Sequence, residues 1–131
     1  IIKNNELLKK KRLIHFHPGN LPSFKGSTVL YYTLLEKKQI VCTCFILSAK
    51  IDTGKILLKK KFKTPKFKKN IDLDKFDNYL RSETMIDYLN GPIKKAKESK
   101  NNEINYFIIH PVLRKIAVSN NRLSFIKKIF I

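Results

Sequence analysis

The sequence predicts an α/β domain built on a mostly parallel sheet with flanking helices and a β-hairpin. Three observations carry this. The first half alternates strand, loop, helix and strand signals, the pattern of α/β units. Ile40–Leu47 (IVCTCFIL) is apolar on both faces and has no breaker, as in a strand covered on both sides. The strand that follows, Ile56–Phe62, is near enough to pair with it as a hairpin across Ile51-Asp52-Thr53-Gly54.

The elements follow in order. Residues 3–12 are polar and lysine-rich with Leu7 and Leu8, an exposed helix end. Leu13–Phe16 is a short buried strand. Pro18, Gly19, Asn20 and Pro22 punctuate a loop running to Gly26. Ser27 or Thr28 is placed to cap the helix STVLYYTLLEKKQ, whose Val29, Leu30, Tyr32, Leu34 and Leu35 pack on the sheet. Lys63–Ile71 is a basic surface connection. Asp72 or Asp74 caps a helix to about Leu89, with Phe76, Tyr79, Leu80, Ile86 and Leu89 as its apolar side, and Asn90-Gly91-Pro92 stops it. KKAKESKNNE is a polar linker, Ile104–Ile109 a short strand, and Pro111 starts a helix followed by a basic, apolar tail. At 131 residues the chain makes one domain with one modest core.

Composition narrows the function. The formal net charge is +18, but Lys, Ile and Asn supply 24, 17 and 11 of the residues, types favoured by AT-rich codons. Lys outnumbers Arg by 24 to 4, whereas phosphate and base readers favour the bidentate Arg fork, so a nucleic-acid partner is not expected. The longest apolar run is far shorter than a membrane span. The opening IIKNNELLKKKR has no apolar signal-peptide core, and the expected compartment is the cytoplasm. Cys42 and Cys44 share a strand face and splay along it, which suits reduced core cysteines.

His15 and His17 stand two apart, so a strand puts both imidazoles on one face and Phe16 on the other. Buried polar groups there need partners. Asp52, at a neighbouring strand exit, is a candidate that would hold an imidazole in one tautomer and raise its basicity, provided parallel strands bring the exits to one edge. Three chemistries fit. A metal site can use two His and a carboxylate. Asp52-Thr53-Gly54 suggests an aspartic protease, but four glycines and clear helices argue against that all-β fold. Metal-free acyl transfer needs a His base and donors for an oxyanion.

HFHPGNLPSFKGST (15–28), followed 35 residues after His17 by Asp52 in IDTGKIL, resembles the folate-dependent formyltransferase family. The GST-x-x-YY and HPG-x-LP forms, FDNYLR (76–81) and YFIIHPVLR (106–114) look most like its bacterial sugar N-formyltransferases. The family pattern is Asn-x-His, a Pro and small-residue loop ending in Arg-Gly, then Asp-Thr-Gly. His17, Asp52, Leu21-Pro22 and Gly26 match it; Lys25 replaces the Arg and His15 stands at the Asn.

The resemblance implies the C-terminal portion of a Rossmann-like formyltransferase domain. Residues 1–131 would be one partial catalytic domain, with the site in 1–62 and a basic connection, helix, short strand and tail in 63–131. It implies transfer of a formyl group from 10-formyltetrahydrofolate to a primary amine, most plainly of a nucleotide-linked amino sugar in surface-glycan synthesis. A homodimer is compatible, and no metal is required. His17 would move the proton, Asp52 would orient His17, and His15 would donate to the oxyanion. Ser48, Ala49, Lys50 and Ile51 would hold the folate. The likeness starts late relative to the family, so the chain is expected to be truncated. The alternatives are a degenerate formyltransferase-like domain without turnover, and a metal-dependent hydrolase using His15, His17 and Asp52.

Overall fold

The structure is a computed structural model that describes residues 5–36, 39–63, 73–92, 95–98 and 108–119. It contains helix α1 (Asn5–Lys10), strand β1 (Ile14–His17), helix α2 (Val29–Leu35), strands β2 (Ile40–Ile46) and β3 (Ile56–Phe62), and helices α3 (Leu73–Asn90) and α4 (Pro111–Ser119).

The strands form one sheet in the order β1-β2-β3. Both pairings are antiparallel, with His17 opposite Thr43 and Ile14 opposite Ile46 in one ladder and Ile40 opposite Phe62 in the other. This corrects the expectation of a mostly parallel sheet as far as the described strands go. Alternation of strand and helix does not fix strand direction; the path of the connection does. The loop and helix after His17 leave and re-enter at the same end of the sheet, because Ile40–Cys42 of β2 extend past the C-terminal end of β1. A parallel pair would need a crossover along the whole strand.

Residues of β2 divide by the period of two. Ile40 and Cys42 join Leu30, Tyr31, Leu34, Leu73, Leu80, Ile109 and Ala117 in the core, with Phe16 and Phe62 packed against it. Cys42 and Cys44 are free and buried. Burial pushes the Cys44 thiol up to about 11, so it stays protonated and inert. Thr43 and Phe45 point to the opposite face, beside His17 and His15, their cross-strand partners.

The helices differ from the sequence reading in detail. Thr28 stands at the N-cap of α2 but makes no side-chain capping bond. Its hydroxyl accepts the Ile109 N–H at 2.9 Å instead and ties α2 to the approach of α4. On α3 only Leu73, Leu80 and Thr84 are buried, while Tyr79, Ile86 and Leu89 are exposed, so three of the residues assigned to its apolar side face outward. Arg81 of α3 donates to the Phe16 carbonyl at 2.6 Å and pairs with Asp77. Lys60 of β3 bridges to Glu83 and Asp87 at 3.1 and 3.0 Å. These contacts lay α3 along the sheet face away from the two histidines. The helix expected from Pro111 is present. The basic connection, the linker, the 104–107 part of the expected strand and the tail lie mostly or wholly outside the described residues, and Ile108-Ile109 are not in a strand.

The β2–β3 connection positions the site. It turns through Asp52 at φ 48° and Gly54 at φ 138°. A Cβ at Gly54 would lie 2.0 Å from the Ile46 carbonyl oxygen, and that φ belongs to glycine. Gly54→Ala is therefore expected to destabilise the domain by about 3 kcal/mol or more, the upper end for a strained backbone position with a backbone clash added. Urea unfolding measures it; a loss under about 1 kcal/mol would mean that the turn relaxes freely.

Candidate active site

The site face of the sheet carries His15 and His17 from β1, Thr43 and Phe45 from β2, and two loops that close over them. The Phe45 ring meets the His15 and His17 rings edge-on, with centroids 5.6 and 6.5 Å away.

The first loop, residues 18–28, is fixed by buried polar contacts. The Thr43 hydroxyl is fully buried; it donates to the Gly19 carbonyl at 2.6 Å and accepts the Leu21 N–H at 3.3 Å. Lys59 reaches the Asn20 side chain at 2.9 Å and the Leu21 carbonyl. The Leu21-Pro22 peptide is cis. A Cβ at Gly19 would lie 2.8 Å from His17 Nε2 and 2.7 Å from the Val29 side chain, so a bare backbone is what lets the loop run against the imidazole. Pro, Gly and Asn at this point are what such a path requires.

His17 is 3% exposed. Its Nε2 lies 3.0 Å from the Phe24 carbonyl oxygen. A carbonyl only accepts, so Nε2 carries the hydrogen and neutral His17 has its lone pair on Nδ1. Nδ1 faces Asp52, 3.8 Å from Oδ1. That is too long for a hydrogen bond. The other Asp52 oxygen accepts the Gly26 N–H at 2.7 Å. The geometry thus differs from the expectation in one respect: the Phe24 carbonyl, not Asp52, fixes the tautomer of His17, and the Asp52 carboxylate faces the other ring nitrogen.

The route by which Asp52 arrives also differs from expectation. It follows the end of β2 that pairs with Ile14, three residues or roughly 10 Å from the His17 end of β1. Parallel strand exits do not bring the groups together. The hairpin connection folds back over the sheet face, past His15, and delivers the carboxylate to His17 and Gly26. The positive φ values at Asp52 and Gly54 make that reversal. The Asp-Thr-Gly signal was visible in the sequence, but the fold-back it encodes was not.

His15, half-buried, lines a pocket of about 240 Å³ with Leu47, Ser48, Ala49, Lys50, Ile51 and Asp52. The two imidazole centroids are 6.4 Å apart. The Ser48 hydroxyl is engaged inside the loop, with the Lys50 and Thr53 carbonyls at 3.3 and 2.7 Å and the Thr53 hydroxyl at 2.5 Å. It shapes the pocket wall. Ala49, Lys50 and Ile51 are exposed along the rim.

Burial pushes the His17 pKa below the ordinary 6.5; the attraction of Asp52 and the bond to Phe24 oppose this without cancelling it. Burial, then the Arg81 charge, lowers His15 likewise, against the weaker pull of Asp52 and Asp77. Both rings are neutral near pH 7. A neutral, buried imidazole with its free lone pair toward a carboxylate is a competent proton acceptor, since the carboxylate stabilises the imidazolium as it forms. Arg81, through its bond to the carbonyl between the two histidines, is a part of this electrostatic setting that the sequence did not signal.

No family model matches the chain. A methionyl-tRNA formyltransferase from Rickettsia bellii is 37% identical over 68 residues, which is 50% of this chain and 22% of that protein. Solved structures extend the likeness at the level of fold. A sugar N-formyltransferase from Shewanella superposes on 89% of this chain and 54% of its own, with a TM-score of 0.62 at 20% identity. A formyltransferase from Anoxybacillus kamchatkensis, solved with a formamido-sugar UDP nucleotide and tetrahydrofolate, covers 82% of this chain and 60% of its own, with a TM-score of 0.61 at 18% identity. A Helicobacter canadensis N-formyltransferase, solved with folinic acid and dTDP-3-aminofucose, gives 0.52 at 22% identity, over 72% of this chain and 37% of its own. The chain thus spans about half the length of the first of these solved relatives and less of the curated one. The resemblance to folate-dependent formyltransferases drawn from HFHPGNLPSFKGST and IDTG is borne out by sequence and by fold.

Proposed function

We propose that this chain, similar in sequence and fold to folate-dependent formyltransferases, carries the proton-transfer site of an N-formyltransferase. The reaction moves a formyl group from 10-formyltetrahydrofolate to the primary amine of a nucleotide-linked amino sugar. One observation carries the reading. His17 is buried and neutral, its Nε2–H is committed to the Phe24 carbonyl, and its Nδ1 is turned to Asp52, a residue of the pocket wall.

When bound, 10-formyltetrahydrofolate supplies the electrophilic formyl carbon. The pocket lined by residues 47–52 fits part of such a molecule; about 240 Å³ is below the roughly 300–1,000 Å³ of a site that encloses a drug-sized ligand. Ser48, Ala49, Lys50 and Ile51 would line one side of the donor with backbone groups and the Ile51 side chain, while Ser48 keeps the loop in shape. The acceptor amine attacks as the neutral base. His17 would accept the proton the amine loses as the C–N bond forms, with Asp52 stabilising the imidazolium. His17 would then hold that proton for return to the leaving nitrogen of the donor. His15 directs an N–H into the pocket where the carbonyl oxygen gains charge. The chemistry suits a cytoplasmic protein, and a homodimer is compatible with it.

The test uses the whole protein that carries this chain, with 10-formyltetrahydrofolate and a panel of UDP- and dTDP-linked 3-amino and 4-amino sugars, the product being identified by mass spectrometry. Formylation of at least one sugar is the expected result. Formylation of methionyl-tRNA instead would move the acceptor to that branch. Folate binding with no transfer to any acceptor would support a degenerate domain and defeat the proposal.

A further inference from the structure

The same cluster has a second property, which binding alone can test. We propose that His15, His17 and Asp52 form a binding site for one divalent transition-metal ion of the zinc type, seated between His17 Nδ1 and Asp52 Oδ1. Among the described residues these three offer one ligand atom each, all within 4.8 Å of one another.

Four features of the geometry point to a metal rather than to a bare His–Asp contact. The Nδ1–Oδ1 separation of 3.8 Å is too long for a hydrogen bond and a little wider than the roughly 3.4 Å between two ligands of a tetrahedral ion, so small side-chain movements would bring both to bonding distance. His17 presents a lone pair there, because its other nitrogen donates to the Phe24 carbonyl; a backbone carbonyl is one of the common partners of the far ring nitrogen in a metal-binding histidine. Asp52 is held in the same way, with the Gly26 N–H on the oxygen that would not face the ion. His15, half-buried at the pocket wall, brings the third ligand, and the pocket leaves a fourth position open to water.

Charge does not forbid it. Two neutral imidazoles and one carboxylate leave a local +1 with a divalent ion bound. The Arg81 charge acts on both imidazoles, and its guanidinium is engaged by Asp77 and the Phe16 carbonyl. Nitrogen and carboxylate donors favour Zn²⁺ or Co²⁺ over Mg²⁺ or Ca²⁺, which prefer all-oxygen shells. The consequence, which rests on the proposed function, is regulatory: an ion on Nδ1 would occupy the lone pair that proton transfer uses and would act as a reversible inhibitor, removed by a chelator.

The experiment reads binding, not activity. The metal-free full chain is titrated with Co²⁺, followed by its visible absorption, and with Zn²⁺ against a chromophoric chelator. The expected result is one tight ion per chain, with affinity reduced at least about tenfold in His15→Asn and in Asp52→Asn, since loss of a mere supporting contact already costs about 10–100-fold. Proton NMR of the unmutated chain guards against a variant that fails to fold. The chain has three histidines, and Zn²⁺ should shift the rings of His15 and His17 and leave that of His110 in place. Absence of stoichiometric binding, equal affinity in the variants, or a shift of His110 alone would each overturn the site. None of these results bears on the formyl-transfer assay, which is run with chelator present.

Discussion

His17→Ala, in the whole protein that carries this chain, is expected to lower kcat/KM for formyl transfer by about 10²–10⁴, the contribution of one positioned base. The buried ring also packs against Phe45 and the 18–26 loop, so Ala removes structure along with chemistry. His17→Gln separates the two. Its amide can still donate to the Phe24 carbonyl, but it offers no basic nitrogen. Gln should therefore match Ala in lost rate while recovering part of the lost stability. Asp52→Asn should fall in the same direction by a smaller factor, because Asn still accepts the Gly26 N–H but cannot stabilise an imidazolium. Activity of His17→Gln within a few-fold of the unmutated protein would remove His17 from proton transfer. The pH dependence adds a sign. The folded-state pKa of His17 is lowered, so in acid the unfolded chain binds a proton that the folded one refuses. In chelator-treated buffer its contribution to stability is complete above the unfolded value near 6.5 and is lost as pH falls below it towards the lower folded value. The acid limb of kcat/KM should likewise lie below pH 6.5, and a limb well above 6.5 would contradict the burial of His17.

How much of this was legible in the sequence depends on the range of the interaction. That His15 and His17 share one face, and that Cys42 and Cys44 share one, follows from local geometry alone; that the two pairs lie on opposite faces of the sheet comes from the register. The hairpin and the helix starting at Pro111 are likewise local. Strand direction is not local. It depends on whether residues 18–39 cross the sheet or return to the same end, and a Pro- and Gly-rich loop before a seven-residue helix is compatible with both. Helical spacing puts Phe76, Tyr79, Leu80, Ile86 and Leu89 on one apolar side; of these α3 buries Leu80, together with Leu73 and Thr84, and exposes Tyr79, Ile86 and Leu89. Its orientation is set by Arg81 reaching the Phe16 carbonyl and Lys60 reaching Glu83 and Asp87, ties between distant residues. The candidate site shows the same limit. Its residues could be named from their spacing, whereas the role of the Phe24 carbonyl, a backbone atom, leaves no mark on residue type.

Substitutions at His15 test the other half of the histidine pair. His15→Leu has similar bulk and no donor, and it should lose about 2.7–4 kcal/mol of transition-state stabilisation, or about 10²–10³ in rate, as expected for one oxyanion donor. His15→Asn should retain or raise activity, because a carboxamide donates from the same strand position without regard to tautomer. The two should also differ in their response to pH. His15 is half-buried against Phe45, and burial together with the Arg81 charge holds its pKa below 6.5. At neutral pH it therefore donates from only one nitrogen, and as pH falls through its lowered pKa it gains a second N–H and a positive charge. That added charge would favour a developing oxyanion but would oppose protonation of His17, since each imidazolium disfavours the other at 6.4 Å between centroids. The unmutated protein should thus carry a pH dependence below neutral that has two histidines in it, and His15→Asn should reduce it to one. A pH series of kcat/KM for the three proteins, with a chelator present, decides the matter. Equal damage from Asn and Leu would mean that position 15 needs an imidazole as such. Unchanged activity in Leu would mean that the ring only packs on Phe45, and that the donor for the oxyanion comes from elsewhere in the pocket.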